Sequence, residues 1–433
     1  MKNVDLDINV HYITRVEGHG NVVVKVKEGE LKECRWEIPE APRFFEAMVR
    51  GRKWPDISQI TSRICGICSV GHTTASLRAT EKALDVEISE QTLLLRKLLL
   101  HGETLQSHVL HVYFLAVPDL LGAGSVIPLA ESHTDAVKMA LRMKKFANDM
   151  CDLFGGRTVH PITPCVGGFT EVPTVDQLVA WKKRTVEEFV PDAKATLALL
   201  KTLPMPPFDR ETEYISLHRD DEYAFYDGQM MSSDTGCVPE EDYLGMTNEF
   251  VVPHSFGKWT KHNRDSLAVG ALARTNNNFE LLSPMAKDAA AELGLTPHTI
   301  NPFMNNVAQF VECVHCAEDS LKLLDQLIET GIDPALSVDP PITPKAGRGV
   351  ACVEVPRGIL VHDYTYSDDG EVVAANCVIP TNQNHNNIER DFEAYVPQLV
   401  DEGKDSAEVQ QHLEMLVRSY DPCISCSVHL VEL

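Results

Sequence analysis

Two short stretches, "RICGICSVGH" and "DPCISCSVH", each carry a CxxC pair followed by a histidine: Cys65 and Cys68 with His72, and Cys423 and Cys426 with His429. Four thiolates make a soft donor set that suits zinc, nickel, copper or an iron–sulfur cluster. A structural zinc site with four cysteine ligands is the first reading, since paired CxxC is its commonest signature. Zinc pairs are ordinarily joined by short local loops, whereas Cys65 and Cys423 stand 358 positions apart. Zinc also leaves unexplained the acids and cations repeated around both pairs.

Other thiols and imidazoles carry weaker signals. Cys313 and Cys316, in "VECVHCAEDSLKLLDQL", sit within a strongly helical period and read as small buried residues on one face. His101, His108 and His111 share a helix face and read as hydrogen-bonded core histidines. The eight cysteines outside the two terminal pairs contain no ferredoxin-like CxxCxxCxxxC run, so no iron–sulfur cluster is expected on this chain.

The elements that must bring the two ends together follow from periodicity. Strand-like alternation fills the first forty residues, in "INVHYIT", "NVVVKVK" and "LKECRWEI", and returns in "ACVEVPRGILVHDYTY" and "GEVVAANCVIP". Between them, apolar positions at three and four spacing predict long helices over 92–117, 134–154, 174–203 and 303–330. A last helix is expected near 406–420, and short elements over 204–258. The reading is one α+β unit over residues 1–433, mainly helical, with a long central bundle and peripheral sheet segments from both chain ends.

Bulk properties narrow the partners. Lys and Arg number 39 against 63 Asp and Glu, a net charge of −24, which disfavours nucleic acid and anionic lipid. The N-terminus has no apolar core of a secretion signal, and no run reaches the roughly 18 apolar residues of a membrane span.

In order along the chain, "RVEGHG" at Arg15, "PRFFEAMVRGR" from Pro42, "RICGICSVGH" from Arg63, "VPRG" from Val355 and "DPCISCSVH" from Asp421 resemble the large, catalytic subunits of nickel–iron hydrogenases. The resemblance spans almost the whole chain. It implies that Cys65 and Cys423 are terminal nickel ligands and that Cys68 and Cys426 bridge nickel to an iron bearing carbonyl and cyanide ligands. His72 would donate to a bridging sulfur. Glu17 would relay protons from the Cys423 thiolate. Arg357, with its neighbour Pro356, would lie over the open side of the site and polarise dihydrogen. Thr381, in "VIPTNQN", would donate its hydroxyl to a cyanide. Glu46, His429 and the backbone carbonyl at Cys377 would hold a second metal, magnesium or iron.

The same resemblance implies that an endopeptidase cuts after His429, removing residues 430–433, and that electrons leave through an iron–sulfur small subunit. The short tail and Ser107 point to the soluble, cofactor-coupled branch, with further acceptor-reducing subunits of the flavin/NAD(P), deazaflavin or heterodisulfide reductase type. Cytoplasmic placement follows from that branch. Two rivals remain: a nickel-free electron-transfer scaffold of the complex I kind, and a four-cysteine zinc protein.

Overall fold

The chain begins as an antiparallel meander, because alternating valines need a dry face on one side only. Its strands are β1 (Leu6–Val10), β2 (Asn21–Lys27) and β3 (Glu30–Glu37). The computed structural model describes residues 4–336 and 342–428. A short helix α1 (Phe45–Val49) follows, then α2 (Ser69–Leu84), which starts directly after the first CxxC pair.

The bundle is built from α3 (Glu90–Leu110), α4 (Thr134–Gly155), α5 (Val175–Arg184) and α6 (Val190–Leu200). Ser89 caps α3 by accepting from the Thr92 N–H, and Thr174 with Gln177 forms a reciprocal capping box at α5. The expected helices 92–117 and 174–203 are each interrupted by a wide π turn, at His111–Ala116 and Thr185–Phe189. Pro118 and Pro191 lie just beyond these turns. A proline ring cannot donate and crowds the carbonyl four residues back, and the widened turn relieves that crowding.

The stretch expected as short elements contains a small sheet of β4 (Glu213–His218), β5 (Gln229–Ser232) and β6 (Gly236–Val238), with β7 (Leu267–Ala268) added parallel to β4. Helices α7 (Ala271–Asn278) and α8 (Asn305–Thr330) follow, and α8 packs through Phe310, Val311 and Leu324 into the bundle core with Leu95, Leu98, Met143 and Phe146. The second antiparallel meander is β8 (Gly347–Val355), β9 (Gly358–Tyr366) and β10 (Val372–Val378). The chain closes with α9 (Pro380–Glu402) and α10 (Ser406–Ser419), which bury Ile388, Phe392, Leu413 and Leu416 against Val22, Val24 and Trp36 of the N-terminal meander.

One close approach governs the site. A Cβ on Gly349 of β8 would stand 2.0 Å from the Ala79 carbonyl oxygen of α2, and one on Gly71 would stand 2.1 Å from Val355 Cγ1. Helix and strand therefore touch backbone to backbone, which sets the first CxxC pair beside the β8–β9 turn. The fold is mixed α+β and mainly helical, with sheet segments at both ends of the chain.

Candidate metal centre

Cys65 ends a single 3₁₀ turn, and Cys68 stands at the N-cap position of α2. The Cys68 N–H donates to Cys65 Sγ at 3.1 Å. A hydrogen bond from the Cys68 side chain holds the Cys65 thiol below its ordinary range, against the opposing effect of burial.

The second pair arrives from the C-terminus. Asp421 turns the chain with φ 52°, and Cys423 and Cys426 follow, both buried. Cys65 Sγ and Cys423 Sγ are 3.5 Å apart, and the sulfurs of Cys65, Cys423 and Cys426 all lie within 4.8 Å of one another. Metal–sulfur bonds of about 2.3 Å allow two sulfurs on one ion to stand up to ~4.6 Å apart. Cys423 and Cys426 stand sulfur to sulfur; as thiolates they make a soft donor set with Cys65, and Cys68 adjoins that set through its N–H on Cys65 Sγ. This set fits a thiophilic metal.

Several groups clamp the segment that carries Cys423 and Cys426. Arg43, from "PRFF", donates to the carbonyls of Ile64 at 2.9 Å and Ser425 at 3.1 Å, so one guanidinium ties both CxxC loops together. Gly18 has φ 83°, and a Cβ there would meet Ser425 N at 2.7 Å. That approach lets Glu17 accept from the Ser425 N–H at 3.1 Å and bond the Ser425 hydroxyl, with Oε2 only 3.2 Å from Cys423 Sγ. Thr381 Oγ1 accepts from the Cys423 N–H at 3.1 Å, from the first turn of α9.

Arg357 occupies the two-residue turn between β8 and β9 and is 3% exposed. Its Nη1 lies 3.4 Å from Cys68 Sγ and 3.3 Å from Ser107 Oγ, while Nη2 donates to Asp421 Oδ1 at 2.6 Å and Nε to the Asp421 carbonyl. Burial opposes its charge, but the Asp421 carboxylate and the thiolates more than offset this and hold its pKa above the ordinary arginine value. Pro356 precedes it in the turn, with its carbonyl turned away to another arginine, Arg274.

His72 is buried on the first turn of α2, with Nδ1 3.1 Å from His362 Nε2. Cys377, on β10, lies opposite His362. Its thiol is pushed well up by burial and then by the nearby Glu46 carboxylate, so Glu46 and Cys377 share one locality. His429 lies outside the described residues.

Sequence reasoning overlooked Asp421, Arg43 and Ser425 as working parts, although each stands inside a quoted motif. It also passed over Glu103 of α3, which accepts from the N–H groups of Val70 at 2.6 Å and Gly71 at 3.0 Å and so caps α2; burial pushes it up to about 8. His101, His108 and His111 are buried and bonded to Asp319, Glu312 and Gln309, as core histidines should be.

A family model described as nickel-dependent hydrogenase matches residues 43–139 and 209–429, and one described as HoxL-like matches residues 7–41. The chain belongs to the nickel-dependent hydrogenase family, as a large, catalytic subunit. It is 35% identical to the alpha subunit of sulfhydrogenase 1 of Pyrococcus furiosus, over the full length of both chains (100% of each). It is 32% identical to the corresponding chain of the vhu F420-non-reducing hydrogenase of Methanocaldococcus jannaschii, over 88% of this chain and 97% of that one. A crystal structure of an NAD+-reducing [NiFe]-hydrogenase in the H2-reduced state superposes with a TM-score of 0.85 at 26% identity, covering 98% of this chain and 99% of the other. The protein is an oxidoreductase that cleaves dihydrogen. Among the described residues no helix is long and apolar enough to cross a membrane.

Proposed function

We propose that Cys65, Cys68, Cys423 and Cys426 hold a nickel–iron group whose iron carries carbonyl and cyanide ligands, with Glu17, Arg357 and Cys423 serving the reaction. The observation that carries this reading is the meeting of thiols from both chain ends, with a carboxylate 3.2 Å from one and a buried guanidinium 3.4 Å from another. When bound, the group would supply heterolytic cleavage of H2 into a proton and a hydride equivalent, whose oxidation yields the second proton and two electrons.

Cys423 Sγ takes the proton, and Glu17 Oε2 receives it across the 3.2 Å contact. The Ser425 N–H and hydroxyl hold that carboxylate in place. Arg357 has four of its donors engaged by described residues, which leaves one N–H to face a small substrate or a cyanide. Pro356 fixes the turn beneath it, His72 would donate toward a cysteine sulfur that holds the group, and Thr381, whose oxygen already accepts from Cys423, would keep its proton for a cyanide.

Glu46, the Cys377 carbonyl and His429 form the second site, for magnesium or iron. Residues 430–433 are a precursor tail removed by an endopeptidase from an otherwise single 1–433 domain. The electrons go to an iron–sulfur small subunit, which passes them to a soluble acceptor through flavin/NAD(P), deazaflavin or heterodisulfide reductase-type subunits, in the cytoplasm. The names of the sulfhydrogenase and F420-non-reducing relatives support this branch.

The test is replacement of Cys65 by Ser in the purified complex. Nickel should disappear together with hydrogen-dependent dye reduction; retention of both would remove Cys65 from the ligand set.

A further inference from the structure

Behind the turn that carries Arg357 lies a second fully buried arginine, Arg274 on α7. All five N–H donors of its guanidinium are matched. Nε donates to Glu312 Oε1 at 2.6 Å, and Nη2 to Glu312 Oε2 at 2.7 Å and the Pro356 carbonyl at 3.0 Å. Nη1 donates to Glu354 Oε2 at 2.8 Å and the Val355 carbonyl at 2.9 Å. Two successive carbonyls of the turn therefore point into one rigid planar fork, which is itself held bidentately from behind.

The anchor reaches the opposite wall of the site as well. Glu312 on α8 accepts from Tyr223 OH at 2.7 Å and lies 2.7 Å from His108 Nε2. His108 adjoins Ser107, the hydroxyl 3.3 Å from Arg357 Nη1. Both the backbone that supports Arg357 and the helix that supplies its neutral contact are thus referenced to the same Arg274–Glu312 pair. Gly270, at the start of α7, completes the packing: a Cβ there would stand 3.2 Å from the Arg357 carbonyl.

We propose that Arg274 is a positioning residue for hydrogen cleavage, acting through the Val355 and Pro356 carbonyls to fix the Arg357 guanidinium beside Cys68. The inference rests on the reading of Arg357 given above. Lysine in place of Arg274 keeps the buried charge but offers three donors without the fork, so it cannot serve Glu312 and both carbonyls together.

The experiment compares the wild-type complex with Arg274→Lys, Arg357→Lys and the double variant. It reads nickel per chain, kcat and KM for H2, and the crystallographic position of residue 357. In Arg274→Lys the chain should keep its nickel, the Arg357 guanidinium should leave its place by about 1 Å or more, and kcat should fall ~10²-fold with KM little changed. The same substitution on the Arg357→Lys background should cost nothing further, because its effect passes through Arg357. An Arg357 side chain unmoved in Arg274→Lys, or an equal loss of kcat in both backgrounds, overturns the proposal. If Arg274→Lys fails to assemble, Glu312→Gln, which preserves shape and removes the ion pair, is judged by the same criteria. A wild-type complex without nickel or activity would instead refute the reading of the site on which this inference stands.

Discussion

Glu17 and Cys423 stand 406 positions apart in the chain and 3.2 Å apart in space, and that contact is the most exacting feature of the site. If Glu17 carries the proton away, Glu17→Gln should leave nickel per chain unchanged and lower H2-dependent dye reduction by ~10²–10⁴-fold. An unaltered rate would show that protons leave by another route. Asp421 is tested through stability: Asp421→Asn leaves Arg357 buried beside a neutral amide and should destabilise the chain by roughly 3–5 kcal/mol, read from the urea midpoint. The cysteine pairs are legible in the sequence because their chemistry shows in a local motif, whereas Glu17 and Arg357 are singled out only by the family resemblance. Arg43, Glu103 and Arg274 were not legible, because their importance lies in carbonyls and N–H groups supplied by segments remote in sequence.

At the scale of elements, the contact of α2 with β8 places the first thiol pair, and Gly349 is where it is tightest. Gly349→Ala puts a methyl group 2.0 Å from the Ala79 oxygen, so helix and strand must separate. The expected result is a loss of about 1–3 kcal/mol in stability, with less nickel retained per chain; full nickel at wild-type stability would contradict this account of the packing. Long amphipathic helices were legible from their period, but α9 was not. Its opening, "PTNQNHNN", has no apolar stripe at helical spacing. It is helical and buried because tertiary partners satisfy its amides: Asn382 donates to Glu249, Gln383 to the Ile359 carbonyl, and Asn384 accepts from the Val269 N–H. No single-segment pattern contains those partners.

Over the whole molecule, both thiol pairs are buried in one cluster with the β8–β10 meander, while Ile424 of the C-terminal segment is buried with the N-terminal meander. That burial has a cost in acid. His315, deep in α8, accepts from the Ser283 N–H, and desolvation lowers it from 6.5 to about 4. Its folded value lies below its unfolded one, so the unfolded chain binds the extra proton. The stability from keeping it neutral is full above about pH 6.5 and is lost as pH falls toward 4, by ~1.4 kcal/mol per unit. Urea midpoints between pH 7 and 4 should fall less steeply in His315→Gln, whose amide oxygen can accept the same N–H; an identical slope would contradict the assignment.

The central claim, that thiols from both ends of this chain form one nickel–iron site that cleaves hydrogen, is tested most directly by metal analysis. Nickel and iron would be measured per chain in the anaerobically purified complex, alongside hydrogen-dependent dye reduction. About one nickel per chain is expected, as a single set of four thiolates requires, with iron present and dye reduced under H2. Zinc in place of nickel, in material that reduces no dye, would contradict it.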